Sequence, residues 1–85
     1  MPDRVDYYSI VGVGRAIDNP SGLARRRYTS DGRIDESLRN DLSWGPSSAI
    51  TDWEYGNHPG ELVEISAEEA RALIERFREK WQGAS

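Results

Sequence analysis

Apolar side chains at Ala67, Ala70, Leu73, Ile74, Phe77 and Trp81 recur at the helical period and mark one stripe of an amphipathic helix. The run opens on Ser66, with Glu69 three residues later. That pair predicts a capping box, in which the serine hydroxyl accepts from the N–H of Glu69 and the Glu69 carboxylate reaches back to the N–H of Ser66. A stripe of this kind needs a surface to lie on, and the rest of the chain supplies strands.

Tyr7 to Val13 is rich in β-branched and aromatic residues and predicts a first strand. Asp18-Asn19-Pro20-Ser21-Gly22 reads as a loop by its turn chemistry. Leu23 to Thr29 reads as a second strand. Asp31-Gly32 follows it, a dipeptide suited to a type I′ hairpin turn, so the next segment should return antiparallel. In that segment Ile34, Glu36 and Leu38 alternate like a strand, while Ile34, Leu38 and Leu42 also recur every four residues like a helix. The hairpin turn demands a partner, so a strand over Ile34–Arg39 is expected. Ser43-Trp44-Gly45-Pro46 reads as a break. Ser47 to Tyr55 predicts a short helix, capped by Ser47 or Ser48 and stopped by Gly56 at C′. Asn57 to Gly60 reads as another loop, and Leu62–Ile65 as a short strand running into the long helix. The expected fold is α+β: an antiparallel sheet of three to five strands, with the C-terminal helix packed on one face. Residues 1–85 are read as one domain.

Composition narrows the chemistry. With 85 residues the core is modest, and three tryptophans, four tyrosines and one phenylalanine carry much of it. There is no cysteine, hence no disulfide staple, thiolate zinc site or cysteine nucleophile. No apolar run approaches the roughly 20 residues of a membrane span, and the charged N-terminus lacks a secretory signal. A cytoplasmic protein without membrane contact is expected. The net charge of −4 resides in one half. Residues 1–43 hold seven arginines against seven acids, whereas residues 44–85 hold four basic and eight acidic side chains. Such a balance disfavours general nucleic-acid binding, which depends on neutralising phosphates. Ten of the eleven basic residues are arginine, a bias of the kind that a GC-rich genome produces.

Arg25-Arg26-Arg27-Tyr28, Asp31-Gly32, Asp35-Glu36 with Leu38, Trp44 with Pro46, and Glu64-Ile65-Ser66 with Glu69-Ala70 occur in this order. The pattern, from about residue 23 to residue 78, resembles a class of small proteins common in actinobacterial genomes. The resemblance implies a compact cytoplasmic domain. It implies no catalytic or ligand-binding residues, because the class carries no established activity.

Candidate chemistry is sparse. Gly12-Val13-Gly14 after an apolar strand begins a dinucleotide fingerprint, but Ile17 stands where the third glycine belongs and Pro20 lies where a helix should begin. A strand end or bulge where backbone comes close is the expected reading. His58, the single histidine, lacks the companions of a zinc site. As a general base it would need an orienting carboxylate, from Glu54 or Glu61. Arg25, Arg26 and Arg27 are the strongest basic cluster. On a strand, Arg25 and Arg27 share a face with Leu23, and Arg26 shares the other with Ala24 and Tyr28. Asp35 and Glu36 stand where hairpin pairing would bring them opposite. Trp81, in the last helical turn, is the tryptophan placed to anchor a partner.

These features favour a non-enzymatic protein acting through an unidentified protein partner or self-association, by an exposed sheet edge or a tryptophan–arginine patch, with Arg25, Arg26, Arg27 and Trp81 as candidate contacts and no cofactor or metal. The alternative is a binder of an anionic ligand or nucleic-acid segment through the arginine cluster. An enzyme built on His58 ranks third.

Overall fold

The computed structural model describes residues 4–14, 16 and 19–82. Its order is β1 (Arg4–Val11), β2 (Gly22–Thr29), β3 (Gly32–Leu38), β4 (Trp44–Pro46), α1 (Ala49–Glu54), β5 (Glu61–Ile65) and α2 (Ala67–Trp81). The strands form one antiparallel sheet in the order β4-β3-β2-β1-β5. The fold is α+β with the C-terminal helix on the sheet, as expected. Among the described residues, no helix is long and apolar enough to cross a membrane.

The sheet carries a helix on each face, and the two faces hold separate apolar clusters. Under α2, Ala70, Leu73 and Phe77 pack on Leu23 and Leu38, flanked by Tyr7, Trp44, Ile65, Ile74 and Trp81. Under α1, Ile50 packs with Ala24 and Leu62, flanked by Tyr8, Ile10 and Trp53. Leu23 and Ala24 are adjacent on β2 and bury opposite faces, as the two-residue period of a strand requires. Ala67, assigned to the buried stripe by periodicity, is exposed, and the buried stripe begins at Ala70.

The α2 cap forms as predicted. Ser66 Oγ accepts from Glu69 N at 3.1 Å, and Glu69 Oε1 accepts from Ser66 N at 3.1 Å. Replacing Ser66 with alanine should cost about 1 kcal/mol, read as a lower denaturant midpoint. An unchanged midpoint would mean that the tertiary contacts hold this helix start without the cap.

Several boundaries differ from the sequence reading. The first strand runs from Arg4 to Val11 rather than Tyr7 to Val13; Val13 and Gly14 turn away, with Gly14 at φ +81°. The segment after the hairpin is a strand, Gly32–Leu38. Trp44–Pro46, read as a break, is a three-residue edge strand paired to Glu36–Leu38. Gly45 leaves room for the Arg39 guanidinium above it. The short helix starts at Ala49; Ser47 Oγ accepts from Ala49 N, while Ser48 Oγ donates to Asp52. Gly56 follows at φ +77°, as a C′ glycine does.

The hairpin turn is also one residue earlier than the dipeptide suggests. Thr29 pairs with Gly32, so the loop is Ser30-Asp31, and both residues keep negative φ, which type I′ forbids. Thr29 Oγ1 instead accepts from Asp31 N and donates to the Gly32 carbonyl. Gly32 takes the unusual dihedral, φ +134°, with open space where a Cβ would sit. Gly32→Val should therefore cost about 1–3 kcal/mol through backbone strain alone. A melting temperature equal to wild type would show that this turn relaxes into another geometry.

Leu42 is the one described non-glycine residue at positive φ, +69°. It closes the β3–β4 connection, where Leu42 N donates to Arg39 O and Arg39 N donates to Ser43 O. A left-handed leucine costs roughly 1–2 kcal/mol. Packing of its side chain against the α2 cluster opposes that cost.

Candidate functional site

The three consecutive arginines of β2 divide between the faces as the strand period predicts. Register sets Arg25 opposite Glu36 and Arg26 opposite Asp35. Both pairs form ion pairs, and their surroundings make them unlike.

On the α1 face, Arg26 is 3% exposed and holds two carboxylates in fork geometry. Its Nε and one Nη donate to Asp35 at 2.8 and 3.0 Å; its Nη groups donate to Glu54 at 2.9 and 3.0 Å. Thr51 Oγ1 donates to Asp35 Oδ2 at 3.1 Å. Thr51 and Glu54 belong to α1, so this network fastens the short helix to the sheet. The bonds from Arg26 hold the carboxyls of Asp35 and Glu54 below the usual range, and the two acids raise Arg26 in turn. Four of the five guanidinium donors are used, so the site is a closed structural pillar.

On the α2 face, Arg25 and Arg27 share one acceptor. Their Nε atoms donate to Glu36 Oε1 at 2.8 and 3.0 Å. Burial pushes the Glu36 carboxyl upward, and the two guanidiniums outweigh it, so the group lies below its ordinary value. Arg25 also stacks on Trp44, with its guanidinium carbon 4.1 Å from the ring centroid. Among the described residues, no acceptor lies on the Nη groups of either arginine. The same face carries Val5 opposite Arg27, Arg27 opposite Ile34, and Glu36 opposite Pro46. Ile34 is 41% exposed, and neither it nor Val5 belongs to the cluster beneath α2. The two rows form a mixed apolar and cationic patch beside the helix.

Among the described residues, the arginine stack falls on Trp44 and not on Trp81. Trp81 is half-buried and stacks on Phe77, centroids 4.4 Å apart and planes 2° from parallel. Among the described residues, no carboxylate hydrogen-bonds or ion-pairs with His58. Its Nδ1 accepts from Gly60 N at 3.0 Å, closing the loop before β5, while Glu54 is engaged by Arg26. Gly60 is the close-approach glycine, since a Cβ there would strike the Val11 carbonyl. Among the described residues no cluster of His, Asp and Glu could hold a metal ion. Ile17, the misfit in the Gly12–Gly14 fingerprint, lies outside the described residues.

Sequence reasoning found the arginine–acid pairing but missed two partners. Glu54 lies far along the chain on a helix whose face could not be assigned. The Arg25–Trp44 stack requires β4, which Gly45 and Pro46 disguised.

Neither protein-family models, nor curated proteins, nor solved structures give a match to this chain.

Proposed function

We propose that this is a non-enzymatic protein that works by contacting another protein, and that the contact surface is the open part of the α2 face. The observation that carries the reading is the Arg25–Trp44 stack beside Arg27 and the exposed Ile34. Tryptophan and arginine dominate interface hot spots, and Glu36 holds both guanidiniums in place before any partner arrives. Unused Nη donors suit a partner that offers carbonyl or carboxylate oxygens next to an apolar side chain. The reading extends to a cytoplasmic setting, which the absence of cysteine favours.

One observation favours a second reading. The same free donors could grip a phosphate or other small anion. Against it stand the placement of Arg26 on the opposite face and the acidic balance of the chain.

Comparative affinity capture tests the first reading. A partner should be retained by the wild type and lost by Ile34→Asp, which changes an exposed position and leaves the Glu36 ion pairs in place. Identical capture by both would remove the patch from consideration. In parallel, anisotropy with labelled duplex DNA at two salt concentrations should show no saturation near physiological salt. Tight, salt-sensitive binding that vanishes in Arg25→Ala/Arg27→Ala would transfer the function to anion recognition.

A further inference from the structure

The two edges of the sheet are not equivalent. β4 is three residues long and ends in Pro46, two devices that blunt an edge. β5 is five residues long and contains no proline, lysine or arginine. Among the described residues, the backbone of Glu61–Ile65 bonds only to β1.

Two contacts show which groups of β5 face outward. The Ile10 carbonyl accepts from Ser21 N and Ser21 Oγ, so it points toward β2. The Val11 carbonyl lies against Gly60, so it points toward β5. In an antiparallel strand each residue directs its N–H and C=O to one side, and the side alternates. Tyr7, Ser9 and Val11 therefore bond β5, and their register partners Ile65, Val63 and Glu61 face inward. Leu62 and Glu64 turn their N–H and C=O groups away from the sheet.

A cleft of about 280 Å³ lies on the α2 side of this end of the sheet. Its walls are Ser9, Pro20 and Ile65 of the sheet side and Ala72 and Leu73 of α2, with the oppositely charged Glu69 and Arg76 also lining it. Ser9 is 5% exposed and lines this cleft. Ser9 is the register partner of Val63, so cleft and edge share one cross-strand row.

We infer that β5 accepts an extended segment of another protein as a sixth, antiparallel strand. The segment is apolar at the position opposite Val63, where its side chain lies on the cleft side, and basic opposite Glu64 and Glu61. Main-chain bonds to Leu62 and Glu64 would hold it, and alternate side chains would be read by Val63, at the outer margin of the cleft row, and by the two acids. Charge selects a foreign strand over a second copy of this chain. Self-pairing centred on Val63 would set Glu64 diagonally from its symmetry mate, roughly 7–8 Å away on one face. This surface is separate from the Arg25–Trp44 patch and stands or falls without it.

The probe is acetyl-Val-Lys-Phe-Thr-Lys-amide, titrated into the full chain and followed by amide NMR shifts. Saturable binding is expected with Kd of about 0.1–1 mM, with the largest shifts at Leu62 and Glu64 and little change around Ile34. Glu64→Pro removes an outward N–H that serves no ladder bond and is compatible with an edge strand. It should weaken binding about tenfold without loss of fold, whereas Glu64→Gln should retain binding at high salt. Replacing the peptide threonine with proline should weaken binding equally, and leaves the protein untouched. The inference is overturned by no saturation at about 5 mM peptide, or by shifts confined to the Ile34 patch. Undiminished affinity for the proline peptide would also overturn it. So would a wild-type dimer abolished by Glu64→Pro, which would make a second copy the occupant.

Discussion

Replacing Arg26 with methionine is expected to lower stability by about 3–5 kcal/mol. The loss comes less from the pair itself than from what remains. Asp35, itself largely covered, would keep only the Thr51 hydroxyl, whereas exposed Glu54 could turn to water. Arg26→Met/Asp35→Leu should recover much of the loss, since removing both partners spares the uncompensated charge. The effect also has a pH signature. Asp35, Glu36 and Glu54 have folded values below their ordinary 3.8, 4.5 and 4.5. A depressed acid stabilises the fold above its unfolded value, and the benefit disappears as pH falls through the folded value. Wild-type stability should therefore decline below about pH 4.5, and more shallowly in the Arg26 variant. Denaturant midpoints across that window measure both slopes. A loss under about 1 kcal/mol would show that Ile50 and Trp53 dock α1 without the network.

Phe77→Ala is expected to cost about 3–5 kcal/mol. The ring is 3% exposed and packs in the cluster that contains Leu23 and Leu38. It is also the platform on which Trp81 stacks, so two aromatic residues are affected by one truncation. Equilibrium unfolding should register the loss, and native tryptophan emission should shift red as Trp81 gains water. Phe77→Leu, which keeps most of the volume, should cost less than half as much. A small loss with unchanged emission would mean that α2 is held mainly through Ala70 and Leu73.

What the chain disclosed in advance was local. The capping box, the α2 stripe and the antiparallel β2–β3 hairpin each depend on residues within a few positions, or across one tight turn. For that reason the return of Asp35 and Glu36 beside the arginines was legible, whereas the partners Arg25–Glu36 and Arg26–Asp35 follow from a turn that lies one residue earlier than the Asp31-Gly32 dipeptide suggests. β4 was hidden because three residues are too few to show alternation and two of them, Gly45 and Pro46, normally signal a break. The turn at Ser30-Asp31 escaped because Gly32 supplies its positive φ just outside the loop rather than within it. Nothing near β5 announces that it pairs with β1, since that choice is made by packing across the whole sheet. The same blindness concealed Glu54 as a partner of Arg26. The sequence placed α1 correctly in the chain but could not say which face of the sheet it would cover.

The strand order carries a consequence for how the chain finds its fold. β1 to β4 form a meander in which each strand pairs with its successor. β5 alone must return across most of the chain, from Glu61 to Val11. Closure entropy rises with the length of the loop, so this pairing receives its reward late. Only Ser66 separates β5 from α2, which ties the late strand to the principal helix. In native-state hydrogen exchange the amides of Val63 and Ile65 should open before those of the β2–β3 ladder, and the reverse order would place the long closure first. The strand with open main-chain groups is thus also the part of the sheet that the connectivity secures last.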